Sequence, residues 1–241
     1  DSRATEEHTM RFATPLALAV CLLAPLSPAH AASILLAPSG TPGIEVQARL
    51  VGLGHTVTVG NPASWGAGFD YAPYDVVVFQ FSSNDPADIA HLVAAVDASQ
   101  VGVVFFRGFG TENTALALGL ISGGQLNWQS RTDLNVTNNT HALTAGLSLG
   151  VQNLGYNFMS WVEVPAGATT TTLATGPGGA ALVVHNTRRA VITPFYAHDS
   201  GYADENATGL DVTQRSILWA AGDQATPVAT SSWGRIKATY R

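Results

Sequence analysis

The sequence predicts an α/β domain in which helices cover both faces of a doubly wound, mainly parallel sheet. One observation is the near-continuous apolar run from Val101 to Phe106, which is typical of a strand that is buried on both faces. Another is the glycine turn at Gly108 and Gly110 that follows this run and leads into a helical pattern. A third is the regular alternation of apolar runs with helical patterns along the first half of the chain.

The first half of the sequence predicts three units in which a strand is followed by a helix, and one further strand. A strand at 34–37 precedes a helix that Thr41 caps and that ends near Gly52, and the second strand covers 55–60. The third strand, 75–81, is followed by a helix that starts at Asp85 and Pro86. The fourth strand, 101–106, leads into a helix that Thr111 caps and that runs to Leu120.

The second half predicts shorter strands and one closing helix. Strand-like pieces occur at 125–128, 134–136 and 169–174, and two apolar runs at 181–185 and 190–196 predict an antiparallel hairpin near the C-terminus. The last helix is predicted over 210–221, with Thr208 and Asp211 at its start and Gly222 at its end.

The N-terminal residues resemble a secretory leader. We interpret 1–9 as an expression or reading-frame remnant before Met10, and 10–31 as a signal peptide. Arg11, the apolar run 16–26 and the motif Ala29-His30-Ala31 predict cleavage after Ala31. A membrane anchor is the alternative, but this run is short and proline-rich. Residues 32–222 then form the domain and 223–241 a loose tail, in a secreted or periplasmic protein.

The composition of residues 32–241 excludes several classes of function. Cys21, the only cysteine, lies in the leader, so the remaining chain has no disulfide, thiolate nucleophile or zinc–thiolate site. With 14 acidic and 9 basic residues, a net charge of −5, it lacks the clustered cations of a nucleic-acid surface. No stable membrane span is expected in this part, and its oligomeric state stays open.

A loop at 60–74 is rich in glycine, proline and aromatic residues. Its aromatic side chains either contact a ligand at the rim of a site or pack on one another as a local lid, and we favour packing. The aromatic residues are Trp65, Phe69, Tyr71 and Tyr74.

Several segments together resemble one family. HALTAGL (141–147) is similar to the H-P-I-T-x-G-L segment of the ThuA-like, trehalose-utilisation branch of the class I glutamine amidotransferase-like superfamily. TPFYAHDS (193–200) resembles the strand of that family that ends in Gly-His-Asp, with Ala197 in place of the glycine. The segments 52–59, 74–81 and 213–222 resemble its second strand, third strand and closing helix. The resemblance implies a flavodoxin-like, three-layer sandwich.

The resemblance also shows where this chain departs from the amidotransferases. Those enzymes use a cysteine at the turn after the central strand, together with His and Glu, and Gly108 occupies the place of that cysteine here. His198 and Asp199 stand where the His and Glu would fall. A base without its nucleophile cannot perform the acyl transfer, so glutamine hydrolysis is not expected. The ThuA-like relatives imply sugar metabolism as the substrate class.

Polar residues that follow the predicted strands form the candidate site, because ligands of open parallel sheets bind beyond the carboxyl ends of the strands. Arg107 could hold a carboxylate or a sugar hydroxyl. His198, Asp199 and Glu112 are the candidate catalytic residues. The candidate ligand-binding residues are Ser39, Ser82, Ser83, Asn84, Arg107, Asn113 and Ser200.

Each of these residues also has a structural interpretation. Arg107 could pair with Glu112, and His198 could tie its loop to the backbone. We expect no metal and no cofactor, although the acidic residues Asp199, Asp204, Glu205 and Asp211 leave a hard-cation site as an alternative to a capping role for Asp211. We expect His141 to cap a turn.

Three functional interpretations follow. The first is a secreted domain that binds or processes a carbohydrate or another small polar ligand. The second is a non-catalytic surface module for protein contacts, and the third is a hydrolase that uses Ser82 or Ser200 as nucleophile.

Overall fold

The computed structural model describes residues 31–38, 43–80, 83–106, 110–123, 127–129, 133–155, 159–194 and 206–223. The strands in these ranges are β1 (Ser33–Ala37), β2 (Thr56–Val59), β3 (Val76–Phe79), β4 (Gly102–Phe106), β5 (Asn127–Gln129), β6 (Asp133–Val136), β7 (Gly150–Asn153), β8 (Met159–Trp161), β9 (Thr170–Thr175), β10 (Ala180–His185) and β11 (Ala190–Thr193). The helices are α1 (Gly43–Gly52), α2 (Ile89–Asp97), α3 (Glu112–Ala117) and α4 (Ala207–Ala221), and a 3-10 turn covers Pro62–Ser64.

Five strands form the parallel half of a nine-stranded sheet, in the order β2-β1-β3-β4-β11. Counted among themselves, these strands follow the order 2-1-3-4-5 of flavodoxin-like sheets. The helices α1, α2 and α3 lie in the connections between them, as parallel neighbours require. This half agrees with the strands predicted from the apolar runs.

The other half of the sheet is antiparallel and continues as β10-β9-β6-β7. The predicted hairpin is confirmed, because β10 and β11 pair through Val183 and Ile192. The sheet is therefore mixed rather than mainly parallel. The reason is that the turns at 176–179 and 186–189 are too short for a crossover, so they can join only antiparallel strands. Two strands, β5 and β8, form a separate pair.

The core consists of two clusters that take alternate residues of the same strands. Ile34 and Leu36 of β1 belong to one cluster with buried residues of α1 and α4. Leu35 and Ala37 belong to the other, with buried residues of α2 and α3. Successive side chains of a strand point to opposite faces, so the parallel half of the sheet has one core cluster on each face.

Several helix boundaries differ from the predicted ones. α2 begins at Ile89 rather than at Asp85, because the side chain of Asp88 accepts the His91 N–H and caps it. α3 ends at Ala117 rather than at Leu120; Thr111 is its N-cap residue, as predicted, but makes no side-chain cap bond. The predicted start of α2 was wrong because Asp88 lies closer than Asp85 to the first free N–H groups of that helix.

The closing helix α4 begins three residues before the predicted start. Asn206 is its N-cap and accepts the N–H groups of Thr208 and Gly209 at 3.0 Å each, so neither Thr208 nor Asp211 caps it. Asp211 instead forms an ion pair with Arg215 one turn later, at 2.5 Å. The predicted end at Gly222 is confirmed by its left-handed backbone, with φ 96°.

The aromatic loop packs on itself, so the interpretation as a ligand rim was wrong for Trp65 and Tyr71. Trp65 and Tyr71 are 0% and 1% exposed. The ring of Trp65 lies 5.6 Å from that of Phe69 and 5.9 Å from that of Phe79 on β3. His91 of α2 holds the loop by a 2.7 Å hydrogen bond to the Phe69 carbonyl.

Several predictions concern parts of the chain outside the described residues. They are the leader and the segment before it, the Thr41 cap and the tail beyond Asp223. Among the helices that the structure describes, none has the length and apolar character needed to cross a bilayer.

Candidate functional site

The carboxyl ends of the parallel strands meet at one edge of the sheet, here called the carboxyl edge. β1 ends there at Ala37, β3 at Phe79, β4 at Phe106 and β11 at Thr193. The connection after β1 leads to β2, which pairs with β1 on one side, whereas β3 pairs with β1 on the other side. In flavodoxin-like sheets the crevice at this switch point is the usual position of a ligand.

Four of the predicted site residues lie in described segments at this edge: Ser83, Asn84, Glu112 and Asn113. Asn84 and Asn113 are exposed, Glu112 is half-buried and Ser83 is buried. The other six lie outside the described residues: Ser39, Ser82, Arg107, His198, Asp199 and Ser200.

The two strands that lead toward Arg107 and His198 are neighbours. Thr193 of β11 pairs in register with Phe106 of β4, and Thr193 donates its hydroxyl to the Phe105 carbonyl at 3.2 Å. Arg107 directly follows Phe106 in the sequence, and His198 comes five residues after Thr193. The chain therefore leaves both strands at adjacent points of the carboxyl edge.

Asp85 joins the loop after β3 to the first turn of α3, and the sequence interpretation missed this role. Its carboxylate accepts the Thr114 N–H at 3.0 Å, the Thr114 hydroxyl at 2.5 Å and the Asn113 amide at 2.8 Å. Asp85 thus caps α3 from the loop after β3. The position of Asp85 before a helical pattern predicted that it starts α2. No local signal in the sequence could show that the partners of Asp85 lie 28 and 29 residues away. The result is that the loop that carries Asn84 is connected to the first turn of α3, which carries Asn113.

Glu112 supports the turn that precedes α3. Its Oε2 accepts the Gly110 N–H at 2.8 Å, and Gly110 has the left-handed φ of 96° that glycine adopts without strain. The predicted strand and helix and the left-handed conformation of Gly110 between them are therefore present, whereas 107–109 lie outside the described residues. The Glu112 carboxylate therefore accepts a hydrogen bond from a backbone N–H group that would otherwise be free. This role is structural, whereas the sequence analysis proposed Glu112 as a catalytic residue.

Ser83 is the buried polar group of the site. It is 1% exposed, and its Oγ has no hydrogen-bond partner among the residues that the structure describes. Its backbone N–H donates to the Gln80 carbonyl at 3.0 Å, which fixes the turn after β3. A buried hydroxyl without a partner is costly unless water or a ligand can reach it.

The histidines with shifted pKa values lie elsewhere in the molecule. Burial lowers the pKa of His55, His141 and His185. His141 accepts the Leu143 N–H through Nδ1 at 3.3 Å, which confirms the expected capping role. None of the three belongs to the carboxyl-edge set, so their shifts reflect packing rather than a catalytic environment.

Within the described ranges, no group of three or more His, Cys, Asp or Glu side chains could hold a metal ion. Asp211, the described member of the proposed acidic cluster, is paired with Arg215. Burial raises the pKa of the Asp211 carboxyl, although the Arg215 guanidinium opposes that shift.

Comparison with solved structures relates this arrangement to known proteins. A protein described as ThuA-like from Bacteroides uniformis superposes with a TM-score of 0.57 at 14% identity, over 80% of this chain and 91% of that one. A protein from Thermoplasma acidophilum that is described as part of a GMP synthase gives 0.55 at 14% identity, over 87% and 98%. A cytoplasmic protein from Salmonella typhimurium gives 0.51 at 12% identity, over 78% and 98%.

The chain has a ThuA-like, glutamine amidotransferase-like fold. This agrees with the resemblance carried by the segments 141–147 and 213–222. No family model matches the sequence. No curated protein matches it either. The shared property is the fold alone, because identities of this size do not carry a function.

Residues 107–110 connect β4 with α3, and of these the structure describes Gly110. The sequence of this connection, Arg107, Gly108, Phe109 and Gly110, contains no cysteine or serine.

Proposed function

We propose that this chain is an exported ThuA-like domain that binds or processes a small polar ligand, with a carbohydrate as the leading class, at the carboxyl edge. It does so without the amidotransferase nucleophile. We also infer that its helices and sheet form the three-layer sandwich of flavodoxin-like proteins.

The observation that carries this proposal is the link that Asp85 makes between the loop after β3 and the first turn of α3. The link connects the loop that carries the exposed Asn84 and the buried hydroxyl of Ser83 to the helical turn that carries the exposed Asn113. Amide and hydroxyl groups donate and accept hydrogen bonds, as sugar hydroxyls require. A site held by hydrogen bonds between loops is preorganised, which lowers the entropy cost of binding.

Catalysis at this site would rest on His198 and Asp199, with Arg107 as the cationic contact. His198 would act as the base, and Asp199 would orient it. Glu112 is engaged with the Gly110 N–H, so we assign it to the support of the turn rather than to proton transfer. The absence of cysteine and serine from 107–110 argues against acyl transfer to the protein.

The experiment is a thermal-shift screen of the exported protein against neutral and acidic sugars. A ligand of the site should raise the Tm in proportion to ln(1 + [L]/Kd). Asn84→Ala and Asn113→Ala should each weaken binding several-fold, since one neutral hydrogen bond contributes about 1 kcal/mol. Arg107→Ala and His198→Ala test the predicted residues outside the described segments.

The matched control is Gln100→Ala. Gln100 is an exposed amide residue just before β4, at the opposite end of that strand from the site. This variant should bind like the wild type. If no sugar shifts the Tm, or if the Gln100 variant loses affinity as much as the Asn84 variant, the proposal fails.

A surface module for protein contacts is the second candidate, and the edge strand β7 favours it. Leu149 and Val151 are 60% and 67% exposed, and β7 pairs only with β6 among the described strands. Exposed apolar residues on a sheet edge are a common basis of association. Light scattering of the wild type and of Val151→Lys tests this candidate, because self-association through β7 requires a larger mass for the wild type than for the variant.

A further inference from the structure

Ala32 is held by both of its backbone groups. Its N–H donates to Nδ1 of His55 at 3.2 Å, and its carbonyl accepts the Thr56 N–H at 3.0 Å. Ala32 is 0% exposed and belongs to the core cluster of α1 and α4, whereas Ala31 before it is exposed. The boundary between exposed chain and packed core therefore lies at the bond between these two residues.

His55 is itself fixed by α4. It is 4% exposed, and its Nε2 lies 2.9 Å from Oε1 of Gln214. Because Nδ1 accepts the Ala32 N–H, the ring proton must reside on Nε2, which then donates to Gln214. Ala32, His55 and Gln214 form a chain of hydrogen bonds that ties the start of β1 to α4.

The carboxylate of Asp75 places a negative charge at the same end of β1. The Ser33 N–H donates to Oδ2 of Asp75 at 2.7 Å, and the Asp75 N–H donates to the Ser33 carbonyl at 2.8 Å. A positive charge introduced at the nitrogen of Ala32 would lie one residue from this carboxylate. Opposite charges attract, so this carboxylate favours a charged amine at Ala32.

We propose that Ala32 is the N-terminus of the exported protein and that its α-amino group is seated on His55. The motif Ala29-His30-Ala31 puts the cut of a leader peptidase at the Ala31–Ala32 bond. Water is the second reactant: the C–N bond breaks, the hydroxyl joins the Ala31 carbonyl, and the nitrogen of Ala32 gains a proton. An α-amino group keeps N–H donors whether protonated or not, so it preserves the bond to Nδ1. The cut leaves every contact of Ala32 described above intact.

The chain allows a direct test, because Lys237 is its only lysine. A protein that begins at Ala32 has two amines, the α-amino group and Lys237, and the lysine is an internal reference for amine labelling. The full chain is expressed in a host that exports it. Its N-terminus is sequenced, and the native protein is then labelled with a limiting amine reagent.

The expected N-terminal residue is Ala32. The ratio of α-amino labelling to Lys237 labelling should be about fivefold lower in the native state than in urea, because the hydrogen bond of the α-amino group must open first. His55→Phe should remove most of this protection. Gln214→Leu, a milder change at a half-buried position, should remove part of it. His185→Phe makes the same substitution at another buried histidine and should leave the protection unchanged.

The proposal is overturned if the exported protein begins at another residue, or if His55→Phe and Gln214→Leu both keep the native protection. It is also overturned if His185→Phe removes the protection equally. No sugar enters this experiment, so its outcome is independent of the ligand proposed for the carboxyl edge.

Discussion

At the scale of single residues, three histidines that are buried or half-buried serve as neutral acceptors of backbone N–H groups. His55 accepts from Ala32, His141 from Leu143, and His185 from Arg188 at 3.0 Å. Each uses Nδ1, which can accept only while it carries no proton. Burial lowers the pKa of all three, and the Arg188 charge lowers that of His185 further while Asp97 opposes it.

These histidines predict a loss of stability in mild acid. Their pKa values in the folded protein lie below the unfolded value of 6.5, so the unfolded chain binds more protons as the pH falls. Their contribution is complete above pH 6.5 and is lost as the pH drops through the folded pKa values. Urea unfolding between pH 8 and pH 5 should show a falling midpoint.

The control for this pH dependence is His55→Gln, which offers an acceptor that does not titrate. This variant should show a shallower decline than the wild type over the same range. A wild-type midpoint that stays constant from pH 8 to pH 5 would contradict the assignment.

At the scale of elements, the turn between β10 and β11 fastens the C-terminal ends of three helices. Arg188 binds Asp97 of α2 at 2.6 and 3.0 Å and the Leu118 carbonyl after α3 at 2.9 Å. Arg189 donates to the Ala221 carbonyl of α4 at 2.7 Å and to the Ser99 carbonyl after α2 at 2.6 Å. Carbonyls at helix ends lack partners within the helix, and cations are favourable there.

Arg189→Ala should therefore destabilise the protein by roughly 1–2 kcal/mol in urea unfolding, because two carbonyls lose a charged donor. Arg189→Lys keeps the charge but cannot bridge both carbonyls, so it should fall between the alanine variant and the wild type. Equal stability of the wild type and the alanine variant would show that water replaces the guanidinium.

The crossing of α4 over β4 depends on Gly102. A Cβ at this position would overlap the backbone carbonyl of Ala220 and approach that of Arg189. Neither group is the end of a flexible side chain, so the helix would have to move. Gly102→Ala should cost about 3 kcal/mol or more, which is the upper end of overpacking effects.

The matched control for Gly102 is Gly52→Ala at the end of α1, where a Cβ would meet nothing within 4 Å. Alanine has the higher helix propensity, so this variant should be neutral or more stable by up to about 1 kcal/mol. Thermal unfolding compares the pair. A Gly102 variant as stable as the Gly52 variant would disprove the close crossing.

At the scale of the whole molecule, the central strands and the edge strands of the nine-stranded sheet differ in burial. Every residue of β3 and β4 is buried, whereas β7 alternates between exposed and half-buried residues at the edge. Hydrogen exchange should therefore be slowest for amides of 76–79 and 102–106 and faster for those of 150–153. Comparable protection of β7 and β4 would indicate that β7 is covered by a partner.

The sequence by itself determined the parallel half of the sheet. The runs 34–37, 75–81 and 101–106 predicted β1, β3 and β4 because strands buried on both faces must be apolar at every position. The end of α4 at Gly222 was also readable, since a left-handed helix end favours glycine. The hairpin of β10 and β11 followed from two apolar runs joined by a short turn.

The tertiary structure alone decided how the two halves join and which groups hold the carboxyl edge together. β7 and β8 are short strands without a clear apolar alternation, so their pairing depends on neighbours distant in sequence. Asp85 reaches α3 across 28 residues, and His55 reaches Gln214 across 159. Local patterns record which backbone conformation a segment prefers and which of its faces is buried. They do not record which distant donor a side chain will meet, because that depends on how the elements pack in three dimensions.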